Sequence, residues 1–305
     1  MGHLPALLRE VVELLAPASG EVLVDFTVGG GGHFRALLAH LGERGLALGM
    51  DRDERALAAT RESLPPDVAP RVILRCALFS EAEQVLREEG IEGFDLGLFD
   101  LGISSLQLDD AGRGFSFSAE GPLDMQMGRG ENTALELVNS LPEEQLAQII
   151  RNLGEERLAR RIARAISRRR RLAPIDTTLR LVEAIDSAVP PQSRRYLNKT
   201  RARTFQALRI SVNDELEELK SGLSTAIRYL KVGGRLGAIS WHSLEDRIVK
   251  RTFRFFGPRG EADESWELIP AARKPITPDS DEVARNPRVR SAKLRVVTKK
   301  PKGAD

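Results

Sequence analysis

The stretch Val22-Leu-Val-Asp-Phe-Thr-Val-Gly-Gly-Gly-Gly-His33 decides the fold. An apolar run typical of a β-strand ends at an acid, Asp25, and four consecutive glycines then lead into an apolar helix that begins near Phe34. A strand, a glycine-rich turn and a helix in this order form the first unit of a doubly wound sheet that binds a nucleotide-like cofactor. The alternative is a flexible glycine linker, but linkers seldom lie between a strand and the apolar face of a helix.

The composition is that of a soluble globular protein, with 41% hydrophobic and 30% charged residues in a chain of 305. The sequence contains no run of 18 apolar residues and so predicts no membrane span, and the N-terminus lacks the features of a secretory signal. Cys76 is the single cysteine, which excludes an intrachain disulfide. We therefore expect a cytoplasmic protein with no membrane partner.

Strands and helices alternate over the first hundred residues, which predicts a Rossmann-like α/β fold with a parallel sheet covered on both faces. The alternation then stops, because more than a hundred residues separate Asp100 from the next strand-like run at Arg235. That interval has helical patterns, and we predict an inserted helical domain at 105–204 within a main domain of 1–104 plus 205–305. We also expect Ser80 to cap a helix and 257–287 to form a mobile loop.

Positive charge is concentrated in the insert. Residues 151–209 contain sixteen Arg or Lys against five Asp or Glu, and a second basic run extends from Arg285 to Lys302. A solvated helix face is the ordinary explanation of such a run, but this excess favours a polyanionic partner. Arginine guanidinium groups suit phosphate oxygens, so we predict RNA-backbone contacts by side chains that recur at helical spacing: Arg157, Arg160, Arg161, Arg164 and Arg168.

Two cofactors suit the predicted sheet. The dinucleotide pattern G-x-G-x-x-G fails, because its last glycine falls on Phe34 or on Arg35 in the two registers available. An acid at the end of the first strand, Asp25, and one at the end of the second, Asp51, resemble instead the arrangement in Rossmann-like S-adenosylmethionine methyltransferases. Asp51 can accept hydrogen bonds from both ribose hydroxyls, although a dehydrogenase places an acid there too, and the alternative is a helix N-cap.

Several longer motifs extend this resemblance over nearly the whole chain. They are His3–Glu10, Asp100–Gln107, Gly112–Phe117, Gly121–Met127, Arg203–Ile210, Val212–Leu216, Ser240–Arg247, Asn286–Arg288 and Arg290–Arg295. Together they closely resemble the bacterial 16S rRNA cytosine-N4 methyltransferase family (RsmH, also called MraW). The resemblance implies S-adenosylmethionine-dependent methylation of the exocyclic amine of a cytosine in the decoding region of 16S rRNA, within the small ribosomal subunit.

The resemblance also assigns roles to individual positions. The implied cofactor contacts are Gly31, Gly32, His33, Asp51, Phe79, Asp100 and Gln107. Without the resemblance, Phe79 would be assigned to the core and His33 to a helix cap. We further predict that Asp100, with Ser240 or His242, accepts hydrogen bonds from the target amine, and that Arg203 contacts the substrate.

The chain departs from the family pattern at three places: Phe26 follows the first acid, Leu106 precedes the glutamine, and Asn198-Lys-Thr-Arg-Ala leads to Arg203. The last departure puts the local substrate contacts in doubt. No spacing of His, Cys or acids predicts a metal site. The alternatives are a methyltransferase of another RNA or of DNA, and a non-catalytic RNA-binding assembly factor. The sequence leaves the oligomeric state open, with a homodimer as one option.

Overall fold

The computed structural model describes residues 5–65, 70–128, 130, 132–258, 260, 263 and 265–303. Residues 3 and 4 of the N-terminal family motif lie outside this range. Within the described range, no helix is long and apolar enough to cross a membrane. The helices are α1 (Leu8–Leu15), α2 (Gly32–Leu38), α3 (Glu54–Ser63), α4 (Ala82–Glu88), α5 (Ser105–Asp109), α6 (Ala134–Ser140), α7 (Glu143–Gly154), α8 (Ala159–Arg170), α9 (Thr178–Ala188), α10 (Leu197–Asn213), α11 (Glu215–Tyr229), α12 (Ser243–Phe255) and α13 (Ser280–Arg285).

The chain divides into two compact units. The first comprises Met1–Gly102 together with Leu216–Asp305, and the second comprises Ile103–Glu215. The second unit begins two residues before the predicted insert of 105–204 and ends eleven residues after it. The later end follows from α10, which is continuous to Asn213 and stops where Asp214 adopts a left-handed conformation at φ 48°. The chain therefore passes from α10 to α11 at Asp214.

In the described residues, the first unit contains a seven-stranded sheet. Its strands are β1 (Val22–Asp25), β2 (Leu46–Asp51), β3 (Arg71–Cys76), β4 (Phe94–Asp100), β5 (Leu230–Ser240), β6 (Trp266–Pro270) and β7 (Lys293–Pro301), in the order β3-β2-β1-β4-β5-β7-β6. The first five strands are parallel, as predicted, whereas β7 is antiparallel to both of its neighbours. The strand order reverses between β1 and β4, and in open sheets of this kind ligands bind beyond the carboxyl ends of the strands at that point.

Alternation along the strands builds a core on each face of the sheet. Leu23 of β1 packs in one core with residues of α1, α2 and α3, and the next residue, Val24, packs in the other core with residues of α4, α11 and α12. Both side chains are fully buried. The prediction of a sheet covered on both faces is confirmed.

The second unit has a core of its own, formed by helices α6 to α10 and by the loop before them. Asn213 fixes that loop: its Nδ2 donates to the Met125 carbonyl at 2.8 Å, and its Oδ1 accepts from the Met127 backbone N–H at 2.9 Å. Asn213 is 3% exposed, so these bonds are made in a dry environment. Two of the family motifs therefore meet here for a structural purpose.

Three expectations about local structure were wrong. Residues 266–270 of the expected mobile loop form the edge strand β6, and 280–285 form α13. Ser80 does not cap α4, which begins at Ala82; its hydroxyl donates instead to Glu218 Oε1 at 2.8 Å. Arg157 lies in a turn ahead of α8 rather than on the helix.

Candidate cofactor and active site

The glycine turn after β1 has the backbone conformation that the sequence predicts. Gly29 and Gly31 have φ of 52° and 74°, values that an L side chain rarely adopts. A Cβ on Gly32 would collide with the ring of Pro5, whereas a Cβ on Gly30 would have no neighbouring atom within 4 Å. The turn is therefore close-packed on the Gly32 side and open at Gly30, where a ligand can approach the backbone.

Asp51, at the end of β2, holds this turn in place. Its Oδ2 accepts from the Gly29 N–H at 2.8 Å, and its Oδ1 accepts from the Asp53 N–H at 2.8 Å. The N-cap of α3 is Asp53, which accepts from the Arg55 N–H, so the helix-cap alternative for Asp51 is wrong. Burial raises the pKa of Asp51 to about 6, although the two backbone hydrogen bonds oppose the shift.

Asp25, at the end of β1, is a second buried carboxyl group in this region. It is 1% exposed and accepts from the Thr27 N–H at 2.9 Å. Burial raises its pKa to about 7, against the effects of the Thr27 bond and of His33, and the charges of Asp100 and Asp51 raise it further. The carboxyl ends of β1, β2 and β4 thus bring three acids into electrostatic contact.

Asp100, at the end of β4, is held by partners from three other segments. Its backbone N–H donates to Thr27 Oγ1 at 2.6 Å, and its Oδ1 accepts from Trp241 Nε1 at 3.2 Å. Its Oδ2 lies 3.4 Å from His33 Nδ1. The carboxylate is consequently fixed in one orientation and remains partly exposed, with 26% of the side chain accessible.

The surroundings of His33 determine its protonation. The ring is 6% exposed, and its Nε2 lies 2.8 Å from the carbonyl oxygen of Ala6. A carbonyl can only accept, so Nε2 carries a proton; Nδ1 faces a carboxylate oxygen of Asp100, which also favours a proton on Nδ1. Burial lowers the pKa of His33, but the hydrogen bond and the charge of Asp100 outweigh it and the pKa is raised. The geometry therefore favours an imidazolium ring between two acceptors.

The aromatic residue after β3, Phe79, is partly buried. Its ring packs edge-on against Phe99 with the centroids 5.4 Å apart, and its Cβ and Cγ occupy the space that a side chain at position 222 in α11 would need. Phe79 therefore belongs to the edge of the core and also keeps an exposed surface. Its predicted place beside an adenine ring stays a prediction.

Two predicted catalytic residues are engaged in structural contacts. Ser240 is 1% exposed, and its hydroxyl donates to the Lys293 carbonyl at 3.4 Å. His242 is the N-cap of α12: its Nδ1 accepts from the Glu245 N–H at 3.3 Å, and its Nε2 lies 3.2 Å from Glu245 Oε1. Their catalytic roles stay predictions, and these contacts favour Asp100 as the acceptor of the target amine.

The remaining predicted residues lie in the second unit. Gln107 is 5% exposed in α5; its Oε1 accepts from the Ser104 N–H at 3.0 Å and its Nε2 donates to the Met127 carbonyl at 3.2 Å. Arg203 in α10 is half-buried with a guanidinium nitrogen 3.8 Å from Glu156. The five other arginines are exposed on α8 or just ahead of it: Arg157, Arg160, Arg161, Arg164 and Arg168.

Sequence reasoning missed Thr27, Trp241 and the Ala6 carbonyl as partners of the acid and the imidazole. Trp241 directly follows β5, which pairs with β4 in parallel, so its position beside Asp100 follows from the topology. That adjacency was available from the alternating pattern. The direction of the indole ring was not.

The arrangement fits S-adenosylmethionine better than a dinucleotide. The methyl donor carries a sulfonium and an ammonium group, and Asp51 and Asp100 at the ends of β2 and β4 supply charges of opposite sign. A pyrophosphate would instead be repelled by the same acids. The open space at Gly30 admits a ligand against the backbone, and Asp51 retains lone pairs for ribose hydroxyls.

Comparison with known proteins gives one consistent result. Ribosomal RNA small subunit methyltransferase H of Geotalea daltonii is 47% identical over 97% of this chain and 98% of its own length. The protein of the same name from Sorangium cellulosum is 48% identical over 96% of this chain and 89% of its own length. The model of the MraW methylase family matches residues 1–300. The resemblance predicted from the motifs is confirmed, and the chain belongs to the MraW methylase family.

Proposed function

We propose that this chain is an S-adenosylmethionine-dependent methyltransferase that modifies the exocyclic N4 amine of a cytosine in small-subunit ribosomal RNA. Membership of the MraW methylase family and the names of the relatives support the reaction and the class of RNA. The structural observation that carries the proposal is the fixed carboxylate of Asp100 beside the open glycine turn. This observation supports an amine acceptor and a methyl-donor site at the same edge of the sheet.

The cofactor is held, in this proposal, by the glycine turn and the strand-end acids. Asp51 accepts the ribose hydroxyls, the turn at Gly30 receives the amino-acid tail and Phe79 flanks the adenine. When bound, S-adenosylmethionine supplies an electrophilic methyl group. Asp100, which is partly exposed at the end of β4, presents a carboxyl group of the sign that favours the cationic donor.

The chain's main chemical task is to activate the amine. The N4 lone pair of cytosine is delocalised into the ring, so the nitrogen is a weak nucleophile. A carboxylate oxygen that accepts a hydrogen bond from one N–H of this amine increases the electron density on the nitrogen. Trp241 and His33 hold Asp100 in one orientation, so the acceptor is in place before the base arrives. The proton lost after transfer passes to solvent.

The second unit is proposed to bind the RNA backbone. On α8, Arg160, Arg161, Arg164 and Arg168 recur on one exposed face, while the opposite face carries the buried Ile162 and Ile166. Phosphate contacts position an RNA without reading its sequence. The target cytosine must leave any stack to reach a carboxylate, so an unpaired or flipped base is the expected substrate. We expect the chain to work in the cytoplasm on an assembled small subunit.

One experiment tests the activity and its rivals together. Unmethylated small ribosomal subunits, other RNA and DNA are each incubated with the chain and labelled S-adenosylmethionine, and the modified nucleoside is identified by mass mapping. We expect N4-methylcytidine in small-subunit RNA alone. Label in DNA or another RNA would support the first alternative, and binding to the subunit without any transfer would support a non-catalytic assembly factor.

The proposed arginine face has its own test. Combined Arg160→Ala, Arg161→Ala and Arg168→Ala is expected to weaken subunit binding and to reduce the salt dependence of log Kd by about two to three units of slope. Arg44→Ala, Arg61→Ala and Arg71→Ala, three exposed arginines of the first unit, form a charge-matched control. An unchanged slope in the first variant would exclude α8 as the phosphate-binding face.

A further inference from the structure

Helix α12 in the first unit carries a second basic face. Arg247, Lys250, Arg251 and Arg254 are all exposed, at positions i, i+3, i+4 and i+7. This spacing places them in one stripe along the helix, opposite the apolar residues that face the core. The stripe ends at Phe255, which is 59% exposed.

Among the described residues, three of these four charges lack an acidic partner. In the part of the chain that the structure describes, no acidic group lies within ion-pair distance of Lys250, Arg251 or Arg254. The acids of α12 itself are used elsewhere: Glu245 is 2% exposed, and Asp246 pairs with Arg295 at 2.8 Å. Like charges at these spacings repel and destabilise a helix, and a polyanion along the face removes that repulsion.

Phe255 is a rigid aromatic surface rather than a loose side chain. Its ring packs edge-on against Phe256 at 5.1 Å between centroids, and Phe256 stacks on Trp266 at 5.6 Å. Lys299 lies over the Trp266 ring at 3.9 Å, and its Nζ donates to the carbonyls of Ile227 and Leu230 at 3.0 and 2.8 Å. The exposed ring of Phe255 is therefore backed, through Phe256, by residues of β6, β7 and the end of α11.

We propose that the face formed by Lys250, Arg251, Arg254 and Phe255, the α12 face, binds a single-stranded segment of the ribosomal RNA substrate. The three cations contact successive phosphates, and one unpaired base stacks on Phe255. Positive grooves with a stacking aromatic side chain are the general means of binding single-stranded nucleic acid. Lys250 and Arg254 are four residues apart on α12, a rise of about 6 Å along the helix axis.

This inference rests on the proposed function, because it assigns the methyltransferase unit a contact with the same RNA in addition to α8. The positive charge on α12 raises the affinity for the small subunit and makes no contact with the reacting amine. The α12 face is therefore expected to influence KM for the subunit and to leave kcat unchanged.

The test compares two triple variants on unmethylated small ribosomal subunits. Combined Lys250→Ala, Arg251→Ala and Arg254→Ala is expected to raise KM for subunits about tenfold or more, to leave kcat within twofold, and to reduce the slope of log Kd against log salt by about two to three. The control is Arg44→Ala, Arg61→Ala and Arg71→Ala, which removes the same charge elsewhere on the first unit. Equal KM and equal slope for both variants would overturn the proposal.

A separate variant tests the aromatic contact. Phe255→Ala is expected to raise KM roughly tenfold with an unchanged salt slope, and Phe255→Trp is expected to restore it, because stacking does not depend on counterion release. An unaltered KM in Phe255→Ala would remove the base from the proposal. Calorimetric affinity for S-adenosylmethionine, measured on every variant, checks folding. If a triple variant loses that affinity, the single variant Arg254→Gln replaces it, with an expected fall in the salt slope of about one and with Arg44→Ala as its control.

Failure of this inference is distinguishable from failure of the proposed function. If the unaltered chain transfers no methyl group to subunits, the function is wrong. If it methylates subunits and the α12 variants match the control, only the α12 face is wrong.

Discussion

His33 Nδ1 lies 3.4 Å from Asp100 Oδ2 while Nε2 of the same ring lies 2.8 Å from the Ala6 carbonyl. An imidazole between two acceptors is satisfied only when both nitrogens carry protons. The cationic ring and the carboxylate therefore form a pair whose partly exposed member, Asp100, keeps an oriented acceptor at the end of β4.

Nitrogen-detected NMR of the histidine rings tests this protonation. We expect a pH titration to find the pKa of His33 above the ordinary 6.5, because the hydrogen bond and the charge of Asp100 raise it. Because the pKa of His33 is higher in the folded state, its protonation stabilises the fold. This stabilisation is complete at pH values below the ordinary pKa of 6.5 and is lost as pH rises through the folded-state pKa. The exposed His40 serves as the internal reference. A His33 pKa at or below 6.5 would contradict the assignment.

Asp100→Asn is expected to lower kcat at saturating cofactor by about a hundredfold or more, since the amide cannot replace the ionised acceptor. Single-turnover methylation of small subunits measures the chemical step directly. Glu92→Gln, which neutralises an exposed acid just before β4, is the control. Normal turnover in Asp100→Asn would exclude a catalytic role for the carboxylate.

The glycine turn permits a paired comparison. Gly30→Ala adds a methyl group where no protein atom lies within 4 Å. We therefore expect unchanged stability and a rise of about tenfold or more in the Kd for S-adenosylmethionine. Gly32→Ala forces the methyl group into Pro5 and is expected to lower the thermal midpoint. Calorimetry and thermal unfolding measure the two effects. Full cofactor affinity in Gly30→Ala would place the cofactor away from this turn.

Cofactor affinity is expected to rise between pH 5 and pH 7.5. Asp51 has a pKa of about 6, and its ionised form accepts the ribose hydroxyls better than the protonated form does. Asp51→Ala should weaken binding roughly 10- to 100-fold. Asp53→Asn keeps the cap of α3 and should bind normally. A flat pH profile in the unaltered chain would argue against ribose recognition by Asp51.

Stability without cofactor is expected to fall as pH rises from about 4 to about 7. Asp25 is buried with a pKa of about 7 against an ordinary 3.8, which corresponds to at most about 4 kcal/mol of unfolding free energy lost across that range. Asp25→Asn removes this term and keeps an acceptor for the Thr27 N–H. Denaturant unfolding at pH 5 and pH 8 should show a smaller fall in the variant. Equal falls in both proteins would show that Asp25 does not titrate as inferred.

The sequence was sufficient where local pattern and backbone geometry agree. Four glycines after Asp25 predicted the turn, and the apolar runs at β1 to β5 predicted the parallel strands, because both follow from short-range constraints. The strand β6 was missed, since Trp266–Pro270 is short, contains an acid and ends in proline, as edge strands often do.

The sequence predicted the acids of the site but not the residues that hold those acids in place. Asp51 and Asp100 end strands and are therefore visible in the pattern. Trp241 is 141 positions away from Asp100 in the chain, and the direction of its indole N–H depends on packing that no local pattern encodes. Ser80 was misassigned for a similar reason, because its partner Glu218 lies on a helix far along the chain.

The first unit is assembled from two separated segments of chain, and this has a consequence for synthesis. The strands β1 to β4 leave the ribosome well before β5, whose first residue is Leu230. At about 5–20 residues per second the edge of β4 waits roughly ten seconds for its partner. An unpaired edge of this kind can associate with other strands. We therefore expect nascent chains halted before Leu230 to need a chaperone, even though the glycine turn and all three acids have already been made.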